Sequence, residues 1–374
     1  MTVSQARDRA NRTSASIVEY DVHGLVGIRL IDPSPRDVTA VTGQIGPPGS
    51  LSEEHDLTIR FVEDLRPRGP VNWIEPHSLG FSDTGLLLYP ADPGAGPVCC
   101  LTAEGPGWEL RCRSGRKTVP LLLPLVDFVM WTKGVFALHA SAFTYRGSGV
   151  VVAGWARSGK TTSLLAFMAR GAAYIGDDRV YLRAGENRLY GLTQPIALRS
   201  SHLDGLPRYA RMVGVRGRSR LRMSRALDRA ASAAARVERF GDFARRVSGI
   251  ASEASVSVSP QRLFDDCPLQ GQLDKAFLAI AHDSPTVRVE PLEPKRLAER
   301  LVFSLRAERL RLWSLYYAFS FAFPDRVALF SEEAEALETE RLARALEDVE
   351  SYALYHPFPA PVRALHDTLA PVIG

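Results

Sequence analysis

Lysine is nearly missing from this chain: of 46 Lys and Arg residues only five are lysine. Arginine is thus the default cation, and an arginine-rich stretch says less about an acidic partner than it otherwise would. Cysteine is also scarce, with Cys99, Cys100, Cys112 and Cys267 forming no CxxC pattern. That spacing argues against a disulfide framework or a zinc site and leads us to expect a reducing cytoplasm. Long apolar runs are missing too. The most apolar stretch, Val119 to Trp131, is interrupted by Pro120, Pro124 and Asp127, and residues 1–16 are polar and arginine-bearing where a signal peptide is apolar. No membrane span and no export are expected. There is no internal repeat. What remains is ordinary for a globular protein of two or three domains: 374 residues, 45% hydrophobic, 24% charged, net charge +4.

Within this unremarkable composition, Gly154-Trp155-Ala156-Arg157-Ser158-Gly159-Lys160-Thr161 is a complete P-loop. Its glycines let successive backbone N–H groups turn inward around a phosphate, the lysine reaches the β- and γ-phosphates, and the Thr161 hydroxyl is a Mg²⁺ ligand. Context supports the match. The β-branched run Val150-Val151-Val152 precedes it as a buried strand would, and Leu164, Phe167 and Met168 follow at helical spacing before Gly171. Strand, loop and helix come in the required order, with the helix N-terminus toward the anion.

Ala172 to Gly176 reads as the next strand and delivers Asp177-Asp178. One carboxylate suits Mg²⁺, a hard cation that takes oxygen ligands, and the other suits the proton of an attacking hydroxyl. The alternative is a turn in which aspartate caps its own backbone. Upstream, Gly134 to Phe143 reads as the hairpin partner of the P-loop strand and carries His139. This histidine either meets the aspartates or the transferred phosphate, or is a satisfied core residue.

These residues together, His139-Ala140-Ser141, Gly149 to Gly154, Gly159-Lys160-Thr161, Gly171 and Asp177-Asp178, resemble the catalytic domain of HPr kinase/phosphorylase and its relatives. The resemblance covers about residues 134–200. It implies an α/β fold: a P-loop kinase domain of the phosphoenolpyruvate-carboxykinase/HPr-kinase type, binding ATP and Mg²⁺. It further implies that Asp177 is the general base and that His139 assists. The P-loop and the aspartate pair, read by themselves, make Lys160 catalytic, Gly154 to Thr162 the residues that hold the nucleotide, and Thr161 and Asp178 the residues that hold the metal. Where the family proper carries an acidic residue after the P-loop hydroxyl, this chain has Thr162, and the glycine-rich HPr-recognition signature is missing from Gly191 to Arg199. The chain therefore looks closer to the kinases of biosynthetic gene clusters that phosphorylate serine in a ribosomal peptide.

Elsewhere the sequence marks organisation more than chemistry. Residues 1–16 read as disordered, and 17–118 as a β-rich N-terminal domain with Trp73, His77 and Tyr89 but no catalytic constellation. Residues 119–374 read as the P-loop domain: a helix over Val119 to Lys133, an arginine-rich insertion at about 202–262, a strand at Ala276 to Ala281, and a helical C-terminal part over Pro294 to Phe323 and Glu333 to Leu354. From Arg208 to Arg246 twelve arginines face three acids, and Arg216, Arg218, Arg220 and Arg222 recur at period two. A solvated insertion, a docking site for an acidic substrate, and nucleic-acid binding are the readings in descending order of weight. His356, bounded by prolines, reads as part of a packing turn ahead of an acid.

The function so implied is transfer of the ATP γ-phosphate to a hydroxyl, with serine of a peptide or protein as acceptor. A small-molecule kinase is one alternative, and a P-loop ATPase or nucleotide switch without an acceptor is another. No Leu-Ser-Gly-Gly-Gln element of the ABC ATPases is present. Nucleic acid and membrane are not expected as partners, and a homo-oligomer stays open.

Overall fold

A computed structural model of the chain describes residues 15–51, 54–67, 69–92, 94, 96–104, 107–234, 254–326 and 337–374. They are mixed α/β and fall in two compact units, Met1–Lys133 with Arg311–Leu329, and Gly134–Leu310 with Phe330–Gly374. Residues 1–14 of the expected disordered terminus and 235–253 of the arginine-rich insertion lie outside the described residues. No described helix is long and apolar enough to cross a membrane.

In the first unit β1 (Ile17–Val22), β2 (Val26–Ile31), β3 (Leu57–Val62), β4 (Asn72–Glu75), β5 (Leu79–Ser82), β6 (Gly85–Leu88), β7 (Cys99–Glu104) and β8 (Gly107–Arg113) form one sheet. Its order is β1-β2-β3-β8-β7-β6-β5-β4. β2 and β3 alternate buried and half-buried residues, as strands with one face on a core do. They run parallel, and α1 (Pro35–Ile45) makes the crossover that a parallel pair requires. Ser34 caps α1 with Asp37 in a reciprocal capping box.

The boundary expected at residue 118 lies instead after Lys133. The reason is α2 (Leu122–Thr132): its Phe128 packs edge-on against Trp108 at 5.8 Å, and Lys133 pairs with Asp56 at 2.7 Å. Trp73, His77 and Tyr89 come together as an aromatic cluster, Trp73 lying 4.9 Å from Tyr89 and 5.6 Å from His77. Cys99 and Cys112 are cross-strand partners yet both are free thiols, and burial pushes the Cys99 thiol up to about 12.

The second unit opens with β9 (Val135–Leu138), β10 (Ala140–Tyr145), β11 (Ser148–Gly154), α3 (Lys160–Met168), β12 (Ala173–Gly176), β13 (Val180–Arg183), β14 (Arg188–Gly191) and β15 (Ile196–Leu198). Then come α4 (Ser200–Gly205), α5 (Pro207–Met212), α6 (Val215–Ala234), β16 (Val256–Val258), α7 (Pro260–Leu263), β17 (Gln270–Gln272), β18 (Lys275–His282) and β19 (Arg288–Pro291). It ends with α8 (Pro294–Ala322), whose residues from Arg311 on belong to the first unit, then α9 (Glu338–Ala345), β20 (Glu350–Pro357) and α10 (Val362–Ile373).

The main sheet runs β12-β10-β11-β18-β20-β19, with β11, β18 and β20 mutually parallel at its centre. β11 is buried on both faces. Val150 and Val152 join one apolar cluster with α3 and α10, while Val151 and Ala153 join another with α8 and α9. That is why the run is continuously apolar rather than alternating.

Two expectations change here. The stretch Gly134 to Phe143 is not one strand. β9 pairs with β13 in a smaller sheet, β10 pairs with β11, and His139 is the residue between them. The helix expected over Glu333 to Leu354 is helical only over Glu338–Ala345, and its end is β20, a central strand; residues 333–336 lie outside the described residues. The C-terminal part is thus not purely helical. The period-two arginines sit in α6, where two residues turn the helix through about 200°, so they point to alternating sides.

Glu338 is 1% exposed and accepts from the Arg309 guanidinium, itself 12% exposed, with Arg306 3.7 Å away. Removing the carboxylate leaves Arg309 buried without its partner. Glu338→Ala is expected to lower stability by about 3 kcal/mol in urea unfolding. A loss under about 1 kcal/mol, the usual worth of a surface pair, contradicts a stabilising role for this buried carboxylate.

Candidate active site

β11 ends at Gly154, whose φ of +151° and surroundings admit no side chain: a Cβ there would lie 2.6 Å from the Ala279 carbonyl and from Ser158 Oγ. The loop then exposes Trp155, Ala156 and Arg157 and buries Ser158. Arg157 has φ +66°, a left-handed conformation that costs a non-glycine residue on the order of 1–3 kcal/mol and concentrates at functional sites. Gly159, at φ +85°, is the N-cap of α3, and Ser163 Oγ donates to its carbonyl at 3.1 Å.

Lys160 is 6% exposed, and its ammonium donates to the carbonyls of Gly154 at 3.2 Å and Trp155 at 2.8 Å. Burial pushes its pKa down to about 8, against the opposing pull of Asp178, Asp177 and Glu308. The amine that the motif assigns to a phosphate is thus bonded to the loop's own carbonyls.

The two aspartates occupy different environments. Asp177 is 8% exposed, directly follows β12 where that strand pairs with β10, and accepts from the Ser141 hydroxyl. Thr161 Oγ1 lies 3.1 Å from both its carboxylate oxygens. Burial pushes its pKa up to about 6, although the Ser141 hydrogen bond works the other way. Asp178 is in a left-handed conformation, φ +67°, with its side chain 74% exposed. Its Oδ1 lies 3.2 Å from His139 Nε2, and the hydrogen bond from His139 holds its carboxyl below the usual carboxylate range.

His139 itself is 13% exposed, and its other nitrogen, Nδ1, lies 2.7 Å from Glu308 Oε1. That contact lies off the N–H direction, so it is a close approach rather than an aligned hydrogen bond.

The donor set can be tested against Mg²⁺. Among the described residues no three His, Cys, Asp or Glu side chains converge as a cage. Thr161 and Asp177 supply hard oxygens side by side, the pattern of an ion that takes one or two protein oxygens and completes its shell with phosphate and water. The residues fit.

No family model and no curated protein matches this chain. Assignment therefore rests on the geometry. The P-loop, His139 and both aspartates, expected together from sequence, do come together. Of the two carboxylates it is Asp177, and not Asp178, that lies against Thr161.

Three further residues of the site were not read from the sequence as such. Ser141 is marked only by its place two residues after His139, and β10–β12 register is what sets it beside Asp177. Glu308 comes from α8, outside the stretch of resemblance, and its one signal is an acid within an arginine-rich helix. His356, expected in a packing turn, is instead a fully buried residue of β20 bonded to Ser158.

Proposed function

We propose that the chain is an ATP- and Mg²⁺-dependent kinase that transfers the γ-phosphate to a hydroxyl, with serine of a peptide or protein as the acceptor class. The observation that carries this reading is the pair of carboxylates held at one P-loop in opposite environments. One is buried against the P-loop threonine, and the other is exposed and bonded to a histidine. Paired groups whose surroundings push their properties apart are the mark of divided catalytic roles.

Thr161 and Asp177 are the residues that would hold Mg²⁺, which when bound offsets the charge on the phosphate oxygens. Loop amides and Lys160 bind and orient the phosphates, the ammonium exchanging its carbonyl partners for phosphate oxygens. Asp178 faces solvent, where an acceptor hydroxyl arrives. The acceptor oxygen bonds to the γ-phosphorus, the bond to the β,γ-bridging oxygen breaks, the hydroxyl proton passes to Asp178, and ADP leaves. His139, fixed between Asp178 and Glu308, orients that carboxylate. A depressed carboxyl pKa is no obstacle, because in a loose transition state the proton leaves late and positioning dominates.

The test is incubation with γ-labelled ATP and Mg²⁺ against hydroxyl-bearing peptides, proteins and small molecules. Wild type is expected to label an acceptor hydroxyl, and Lys160→Ala to lose about a hundredfold or more of that rate. ATP consumed as fast without acceptor as with any of them replaces this reading by an ATPase. Labelling confined to small molecules moves the acceptor class.

A further inference from the structure

Under the P-loop lies a histidine that the chemistry above leaves unused. His356 is wholly buried on β20, which is separated from β11 by β18 alone. Its Nε2 lies 2.7 Å from the carbonyl oxygen of Ser158, and its Nδ1 lies 2.9 Å from that of Pro357. Both partners are carbonyls, which only accept, so a neutral ring donates to one of them, and the shorter contact, to Ser158, makes Nε2 the N–H donor. The ring also lies directly behind Gly159, where a Cβ would come within 2.8 Å of Nε2 and 2.9 Å of Cε1.

Direction gives this contact its consequence. The peptide group joining Ser158 to Gly159 is planar and trans, so its C=O and N–H point opposite ways. Gripping the Ser158 oxygen from the sheet side therefore turns the Gly159 N–H away from the sheet, toward the hollow in which a P-loop's amides meet phosphate. We propose that His356 is a positioning residue that aims the Gly159 amide at the phosphates of the bound nucleotide. The role rests on the nucleotide site proposed above. It predicts that affinity for phosphate-bearing ligands depends on a donor at the Nε2 position and not merely on a group that fills the space.

Gln and Asn separate the two possibilities, because the Gln amide nitrogen reaches where Nε2 lies and the Asn amide nitrogen only where Nδ1 lies. Binding of ATP, ADP and adenosine to full-length protein is read from the fluorescence of Trp155, 60% exposed in the loop itself. His356→Asn is expected to weaken ATP and ADP binding about tenfold while His356→Gln stays within about twofold of wild type, adenosine being unaffected by either. Asn binding like wild type, or Gln and Asn weakened alike, overturns the positioning role.

A second measurement needs no variant. In a ¹⁵N-histidine spectrum of wild type, the His356 Nε2–H resonance is expected to shift with ADP and not with adenosine, and its failure to shift also overturns the role. Wild type that binds neither ATP nor ADP overturns the nucleotide site itself, and the positioning role falls with it.

Discussion

Asp178→Asn is expected to slow phosphoryl transfer by about a thousandfold while leaving ATP binding close to wild type. The carboxylate lies 3.2 Å from His139 and is largely open to solvent, and its pull on Lys160 is shared with Asp177 and Glu308. An asparagine keeps the shape and loses the capacity to take a proton. It also tolerates the left-handed backbone at this position better than most residues, which keeps the substitution local. Transfer rate at saturating ATP and nucleotide affinity are the two quantities to measure. An Asp178→Asn variant within a few-fold of wild type returns the proposed base to Asp177, where the family resemblance had put it.

Asp177→Asn separates activity from stability. Transfer is expected to fall by about a hundredfold or more, with Mg²⁺-dependent ATP binding weakened, because the oxygens beside Thr161 lose their charge. The fold is expected to gain. A carboxyl with a pKa of about 6 in the folded chain against 3.8 in the reference state binds its proton more tightly when folded. Its contribution to stability is therefore fully present below the reference value and is lost as pH rises through about 6. At pH 7.5 the buried charge is a burden of about 3 kcal/mol at most, which asparagine removes. Thermal melts should show the variant several degrees above wild type at about pH 7.5, the gap narrowing toward about pH 4.5. A variant that melts no higher than wild type at the upper pH means that hydrogen bonds from Ser141 and Thr161 more than offset the cost of burial.

The local part of the site was legible in the sequence and the distant part was not. The P-loop and the aspartate pair lie within one strand-loop-helix-strand stretch, so spacing alone brought them near each other. His139 was recognised, but its place between two sheets was hidden, since a run from Val135 to Phe143 looks like one strand when its switch residue carries no glycine or proline. Glu308 and His356 reach the site from far along the chain, through packing that no local pattern encodes. β20 was misread for a related reason: its Tyr352-Ala353-Leu354-Tyr355 core follows a run of Glu, Ala, Leu and Arg, and a strand buried on both faces lacks the alternation that would mark it.

The division of α8 between the two units also bears on how the protein is made. Phe319 is 1% exposed and packs at 5.3 Å against Trp108, a partner synthesised long before it. On the ribosome the first unit cannot complete its core when its own sheet has emerged. It must wait until the chain has been extended through the P-loop, both aspartates and Glu308. The unit encoded first is thus finished late. A fragment that begins at Gly134 would likewise carry Phe319 without the surface that covers it, so the second unit is not to be had by simple truncation at Lys133.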